Sequence, residues 1–180
     1  MMATTVVLCL GNPLMTDDGL GLAVLDRLRH DWTLDDVELV DGATWGLSLL
    51  PVIEDSRRLL VVDAITAGQE PGSLVTLERE RLPIYLSRKL SPHQVDLKDA
   101  LALAAWRGHL PDDIVAIGSE PETVELGTEL SPRVAASVET VADTVVARLE
   151  AWGHHCVPTG AAPPAHGATF AGHPHWAPDA

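Results

Sequence analysis

Basic residues are scarce in this chain of 180 residues: 12 lysines and arginines stand against 26 aspartates and glutamates, a formal net charge of −14 at pH 7. Such a chain repels phosphate backbones and anionic headgroups, which argues against nucleic acid or an anionic membrane surface as its main partner. A cationic partner or a bound metal would suit the charge, although solubility alone accounts for it. Aromatic residues are also few, at 4%, while 46% of the chain is hydrophobic. The core must therefore be built from Leu, Val, Ala and Ile. Cysteine occurs twice, at Cys9 inside an apolar run and at Cys156, which is no disulfide framework, and Cys9 reads as a buried thiol. No run approaches the roughly 18 apolar residues that read as a membrane span. The opening "MMATTVVLCLGN" lacks a basic n-region and its apolar run is too short for a signal peptide, so the expected compartment is the cytoplasm, with no membrane insertion.

Two common motifs are missing. Gly11, Gly19 and Gly21 do not have the G-x-G-x-x-G spacing. No G-x-S-x-G elbow occurs, and Cys9 in mid-strand is poorly exposed for nucleophilic attack.

What the chain does contain is an alternation of strand-like and helix-like segments. Thr4–Leu10 reads as a buried strand and Gly19–His30 as a helix with Leu20, Val24, Leu25 and Leu28 on one face. Val37–Asp41 is a second strand, and Trp45–Asp55 a short helix that Pro51 is expected to interrupt. Arg58–Ile65 is apolar throughout, as at the centre of a parallel sheet. Gly72–Glu80 alternates and suits an edge. Ser91-Pro92 opens a helix running to about Trp106, with Ser91 as N-cap, and Ser131-Pro132 opens another with an apolar stripe of Val134, Val138, Val141, Val145 and Leu149. Asp113–Gly118 is a fifth strand. The order predicts a three-layer α/β/α sandwich around a mostly parallel, roughly five-stranded twisted sheet, spanning residues 1–152. From Gly153 the composition turns to Gly, Pro, Ala and His without periodicity, which reads as a disordered tail over 153–180. That tail holds His154, His155, His166, His173 and His175 beside Cys156, so weak metal collection there is the alternative to an inert extension.

In sheets of this kind ligands sit at the carboxyl ends of the strands. Asp41 and Asp63 each end a strand, and Asp17 and Asp18 follow the first one, so the acids converge on one rim. Singly, each has an ordinary explanation: a helix cap for the Asp17-Asp18 pair, a turn for Asp41-Gly42, a surface position in the first helical turn for His93. Asp63 is the exception, because a carboxylate ending a buried strand is costly unless paired, hydrogen-bonded or bound to a cation. Together, Asp18, Asp63 and His93 form a possible divalent-metal set of two oxygen ligands and one nitrogen, with room for water or substrate.

These residues resemble those of the hydrogenase maturation endopeptidases. "GNPLMTDDGLG" (Gly11–Gly21) looks like that family's opening G-N-x-L-x-x-D-[DE]-G-x-G. "DGATWGLSLL" (Asp41–Leu50) is similar to its D-G-G-T-x-G-x-x-L-L block, with Ala43 where glycine is usual. "VVDAI" (Val61–Ile65), "SPHQVDLKDAL" (Ser91–Leu101) and "IGSEPETVELGTELSPRV" (Ile117–Val134) follow in the family's order, so the resemblance runs from about Thr5 to Leu149. It implies an endopeptidase that trims a C-terminal peptide from the precursor of a nickel–iron hydrogenase large subunit after nickel insertion. It implies metal contact through Asp18, Asp63 and His93, a supporting role for Asp17, and substrate handling by Asp41. Nickel would arrive on the precursor, with a divalent metal held weakly at the same site as the other possibility. The precursor would be the partner, and a monomer is the expected state. Whether Asp63, Asp41 or the metal supplies the base is left open by the residues alone.

Three other readings compete. Peptidyl-tRNA hydrolases also open with G-N-P, but they need a glycine after that proline, where Leu14 stands, and a basic face. A non-enzymatic nickel-binding or assembly protein would rely on the His-rich tail. A plain α/β binding module would need no Asp18.

Overall fold

The computed structural model describes residues 4–43, 46–82 and 92–160, with the side chains of 92–96 outside the description. The first strand, β1 (Thr4–Leu10), ends where Gly11-Asn12-Pro13 breaks the apolar run. A 3-10 turn (Thr16–Gly19) leads into α1 (Leu20–Asp31), followed by β2 (Trp32–Leu34) and β3 (Val37–Ala43). A second 3-10 turn (Gly46–Leu49) precedes α2 (Leu50–Asp55) and β4 (Ser56–Ala64). Pro51 does not interrupt this segment. It sits in the first turn of α2, where its missing N–H costs nothing. Then come β5 (Leu74–Glu78), α3 (Pro92–Trp106), β6 (Asp113–Ser119), α4 (Pro132–Ala151) and β7 (Cys156–Pro158). The expected cap Ser91 and the tail beyond Gly160 lie outside the described residues.

The main sheet has the order β3-β1-β4-β6-β5. All its pairs are parallel except β5 with β6, so the alternating segment is the antiparallel edge and the all-apolar segment is the centre. Strand alternation divides the core into two layers. Val6, Leu8, Leu10, Leu59 and Val61 face α2 and α3, where Leu49, Ile53, Leu97, Ala100 and Ala104 close over them. Val7, Cys9, Leu60, Val62 and Ile117 face α1 and α4 through Leu20, Val24, Leu28, Val134, Val141 and Leu149. The architecture is thus the α/β/α sandwich that the residue pattern predicts.

One expectation is corrected. The ordered chain does not leave the domain at Gly153. Cys156–Pro158 pairs antiparallel with Trp32–Leu34, Thr159 donates to the Asp31 carbonyl at 2.8 Å, and His154 Nε2 lies 2.8 Å from Thr5 Oγ1. Three residues are too few to show a period, and the partner strand is more than a hundred residues away, so composition alone could not reveal the pairing.

Candidate active site

Connectivity fixes where a ligand can sit. From β1 the chain crosses through α1 to β3 on one side, and from β3 it returns through α2, on the opposite face, to β4 on the other. The crossover therefore reverses between β1 and β4, and the crevice beyond the carboxyl ends of those two strands is the expected binding place. Asp18 lies in the turn that follows β1, and Asp63 is the next-to-last residue of β4.

The turn carrying Asp18 packs directly on β4. Close backbone approach makes this possible. A Cβ added to Gly21 would stand 2.1 Å from the Leu10 carbonyl oxygen and 2.6 Å from that of Val62, so only glycine lets α1 begin against both strand ends. On the other flank Gly118 pairs with Asp63 in the sheet, and a Cβ there would meet the Asp63 carbonyl oxygen at 1.8 Å.

Asp18 is 5% exposed and Asp63 is fully buried. The Asn12 backbone N–H donates to Asp18 Oδ2 at 3.0 Å, and Asn12 Oδ1 in turn accepts from the Leu14 N–H at 3.0 Å, which sets the turn. Asp63 Oδ1 accepts from the Ala64 N–H at 2.8 Å. By alternation Asp63 belongs to the sheet face of Val61, the face covered by α2 and α3. The helix α3 ends at Trp106 and the chain re-enters the sheet at Asp113, opposite Arg58 at the start of β4. Its first turn, with the His93 backbone, is therefore directed to the carboxyl-end rim. The His93 side chain lies outside the described residues.

Asp41 is half-buried in β3, opposite Cys9, and its Oδ1 accepts from the Ala43 N–H at 3.1 Å. Two strand spacings separate β3 from β4, so the Asp41 and Asp63 backbones lie roughly 10 Å apart. Ala43 takes φ +30°, a left-handed value at the position where the motif has glycine.

Asp17 is buried and serves a different purpose. It does not cap α1. Its Oδ2 accepts from the N–H groups of Glu122 and Thr123 at 2.8 and 2.9 Å and from the Ser131 hydroxyl at 3.0 Å, and its Oδ1 accepts from the Ser131 N–H at 2.6 Å. Ser131, expected to cap α4 with its side chain, gives its hydroxyl to Asp17 instead and makes no side-chain cap bond. Of the adjacent aspartates, Asp17 fastens the loop after β6, while Asp18 accepts from the Asn12 N–H within its own turn.

A further buried acid was not singled out from the sequence. Glu120, just past β6, accepts through Oε2 from the N–H groups of Ala67 at 2.7 Å and Gln69 at 3.1 Å, so it shapes the loop after Asp63. Its signal was the one that marked Asp63, an acid closing an apolar strand. Among the described residues no group of three or more His, Cys, Asp and Glu side chains is arranged to hold a metal ion, and His93 is outside that search. Cys9 takes no part: burial pushes its thiol far above the ordinary range, which keeps it protonated and unreactive.

The family model described as hydrogenase maturation protease (HycI) matches residues 22–148, a span that includes Asp63 and His93 and begins just after the Asp18 turn. The hydrogenase 2 maturation protease of Escherichia coli is 34% identical over 155 residues, covering 85% of this chain and 94% of that protein. The hydrogenase expression/formation protein HoxM of Cupriavidus necator is 36% identical over 178 residues, covering 97% of this chain and 87% of that protein. The solved structure of the hydrogenase maturating endopeptidase HybD from E. coli superposes with a TM-score of 0.83 at 33% identity, over 87% of this chain and 98% of that one. Parallel-sheet fold, ordered motifs and likeness over most of both chains agree: this chain belongs to the hydrogenase maturation protease family, whose members are peptide-bond hydrolases.

Proposed function

We propose that this protein is the endopeptidase that removes a C-terminal peptide from the precursor of a nickel–iron hydrogenase large subunit once nickel has been inserted. The observation that carries this reading is the pair Asp18 and Asp63, both buried, one in the turn after β1 and the other near the end of β4, the two strands that flank the crossover reversal. Family membership supplies the reaction class. In this reading Asp18, Asp63 and His93 meet the nickel carried by the precursor, and Asp41 handles the substrate from the neighbouring strand. Two carboxylates and one imidazole make a hard, incomplete donor set that holds a free divalent ion only loosely. The same set can complete the coordination of nickel arriving on precursor thiolates, so nickel-free precursor binds poorly and escapes early cutting. Hydrolysis then needs a carboxylate at this rim to take a proton from the attacking water and return it to the leaving amine. The protein acts in the cytoplasm as a monomer docked on its larger substrate.

The test is intact-mass spectrometry of nickel-loaded and nickel-free precursor incubated with the protein. Loss of a C-terminal peptide from the loaded form alone is the expected result. Failure to cut a precursor that is otherwise competent would overturn the reading.

A further inference from the structure

Exposed apolar side chains are not scattered evenly over this surface. Seven large ones are exposed among the described residues: Leu14, Leu47, Leu74, Trp106, Val124, Leu126 and Val157. Five of the seven sit at the carboxyl-end rim. Leu14 follows β1, Leu47 follows β3, Val124 and Leu126 follow β6, and Leu74 starts the antiparallel β5 opposite Ser119. Single exposed leucines need no explanation, but this gathering at the end that carries Asp18 and Asp63 does.

The segment Glu120–Ser131 has no regular structure, yet it is firmly held. The Thr16 N–H donates to the Gly127 carbonyl at 2.8 Å, and the Gly127 N–H donates to the Leu14 carbonyl at 3.0 Å. Thr16 Oγ1 donates to the Thr123 carbonyl at 3.0 Å and accepts from the Glu125 N–H at 3.1 Å. Asp17 anchors both ends through Glu122, Thr123 and Ser131. Because β4 lies between β1 and β6, a loop tied from the end of β6 to the turn after β1 walls one side of the crevice at Asp63. Within this wall Leu126 is 86% exposed and Leu14, beside it across the Gly127 bond, is 57% exposed.

The wall also has one sign of charge. Glu122, Glu125 and Glu129 are exposed on it, no Lys or Arg occurs from Glu120 to Ser131, and none of the three has an ion-pair partner among the described residues. A fixed loop with aliphatic tips between exposed carboxylates loses little entropy on docking and favours a partner of opposite charge.

From these observations we infer that Leu14, Val124 and Leu126, flanked by Glu122, Glu125 and Glu129, form a preformed docking lip for one occupant. That occupant is a segment of the precursor near the cut that carries aliphatic side chains beside lysine or arginine. This rests on the proposed cleavage reaction and adds to it a determinant of substrate choice separate from the metal-facing residues. The lip raises affinity for the precursor and does no bond-breaking.

The test uses the full chain and a nickel-loaded large-subunit precursor. Three variants are compared with the unmodified protein: Leu126→Ser, Val124→Ser/Leu126→Ser, and Glu122→Gln/Glu125→Gln/Glu129→Gln. Cleavage is followed by intact mass, with kcat and KM separated, and binding by interferometry on immobilised precursor. The serine pair is expected to raise KM and Kd about tenfold or more at nearly unchanged kcat, as for loss of buried aliphatic area. Leu126→Ser alone gives part of that effect. The glutamine triple is expected to weaken binding and flatten its salt dependence. Unchanged KM and Kd in all variants, while the unmodified protein cuts, would overturn the lip and leave the cleavage reading standing. Binding that depends on Leu126 without any cutting would sustain the lip and overturn the cleavage reading. Neither cutting nor binding would overturn both.

Discussion

Ser131 gives both its backbone N–H and its hydroxyl to the carboxylate of Asp17, across 114 positions of sequence. With Glu122 and Thr123 donating to the same group, one buried carboxylate ties the turn after β1 to the loop after β6. Asp17→Ala would leave three backbone N–H groups and a hydroxyl to find new partners. At about 1 kcal/mol for each of these part-buried bonds, a loss of about 3 kcal/mol or more is expected, read as a shift in denaturant midpoint.

Asp18 predicts the opposite balance. Asp18→Asn keeps an oxygen for the Asn12 N–H, so its stability should fall by no more than about 1 kcal/mol. Processing of nickel-loaded precursor should nevertheless drop by about two orders of magnitude or more, and Asp63→Asn and His93→Ala should lose activity similarly. Melting curves run beside the mass assay separate the two effects. Normal processing by any of the three would remove that residue from the site.

At Ala43 the backbone adopts φ +30°, which a Cβ disfavours and glycine accepts freely. Ala43→Gly is therefore expected to stabilise the protein by about 0.5–1 kcal/mol, because relief of strain outweighs the extra freedom of the unfolded chain. Chemical denaturation of the two proteins in parallel measures it. A lower midpoint for the glycine variant would mean that this turn carries no strain.

Cys9 makes stability depend on pH at the alkaline end. Burial is the main cause that raises its folded pKa, partly offset by Arg29. Above the ordinary thiol value of 9.0 the unfolded chain sheds this proton while the folded chain keeps it. Unfolding then releases a proton, and stability falls by up to about 1.4 kcal/mol per pH unit. The contribution is fully present below pH 9.0 and is lost as pH rises from there toward the folded value. Denaturant titrations at pH 8 to 10.5 should show this slope, and Cys9→Ala should flatten it.

Truncation separates the stretch through Gly160 from the histidine-containing residues 161–180. A chain ending at Gly160 keeps the β2–β7 pair and should melt and cleave like the full protein. A chain ending at Gly153 loses that pair, the contact of His154 with Thr5 and the two bonds from Thr159, and should lose more than about 3 kcal/mol at roughly 1 kcal/mol for each bond. If removal of 161–180 instead abolished cleavage, the tail would belong to the reaction.

Most of the fold was legible because its signals are local. Thr4–Leu10 is bounded by Gly11-Asn12-Pro13, the continuous apolar run before Asp63 marks the central strand, and alternation in Leu74–Glu78 marks the edge. Asp18, Asp63 and Asp41 could be assigned to one rim because strand ends in a parallel sheet share one side. What stayed hidden depends on partners far along the chain. No spacing announces that Asp17 belongs to Ser131, that Glu120 holds Ala67 and Gln69, or that Cys156–Pro158 finds Trp32–Leu34. Ser131-Pro132 shows the limit of local reading, since the helix starts where expected but the serine hydroxyl is committed elsewhere.

The glycines against the strand ends matter for how this protein would be mapped by mutagenesis. Gly21 and Gly118 each leave no space for a methyl group, the first against Leu10 and Val62, the second against Asp63. Alanine at either position pushes a strand end aside and misplaces the acid beside it. In an alanine scan scored by activity alone, both would be grouped with Asp18 and Asp63, although neither has a side chain with which to act. Under the proposed roles of Asp18 and Asp63, such a scan would outline the region correctly and overcount its reactive groups, and the excess would be the residues chosen for having nothing to remove.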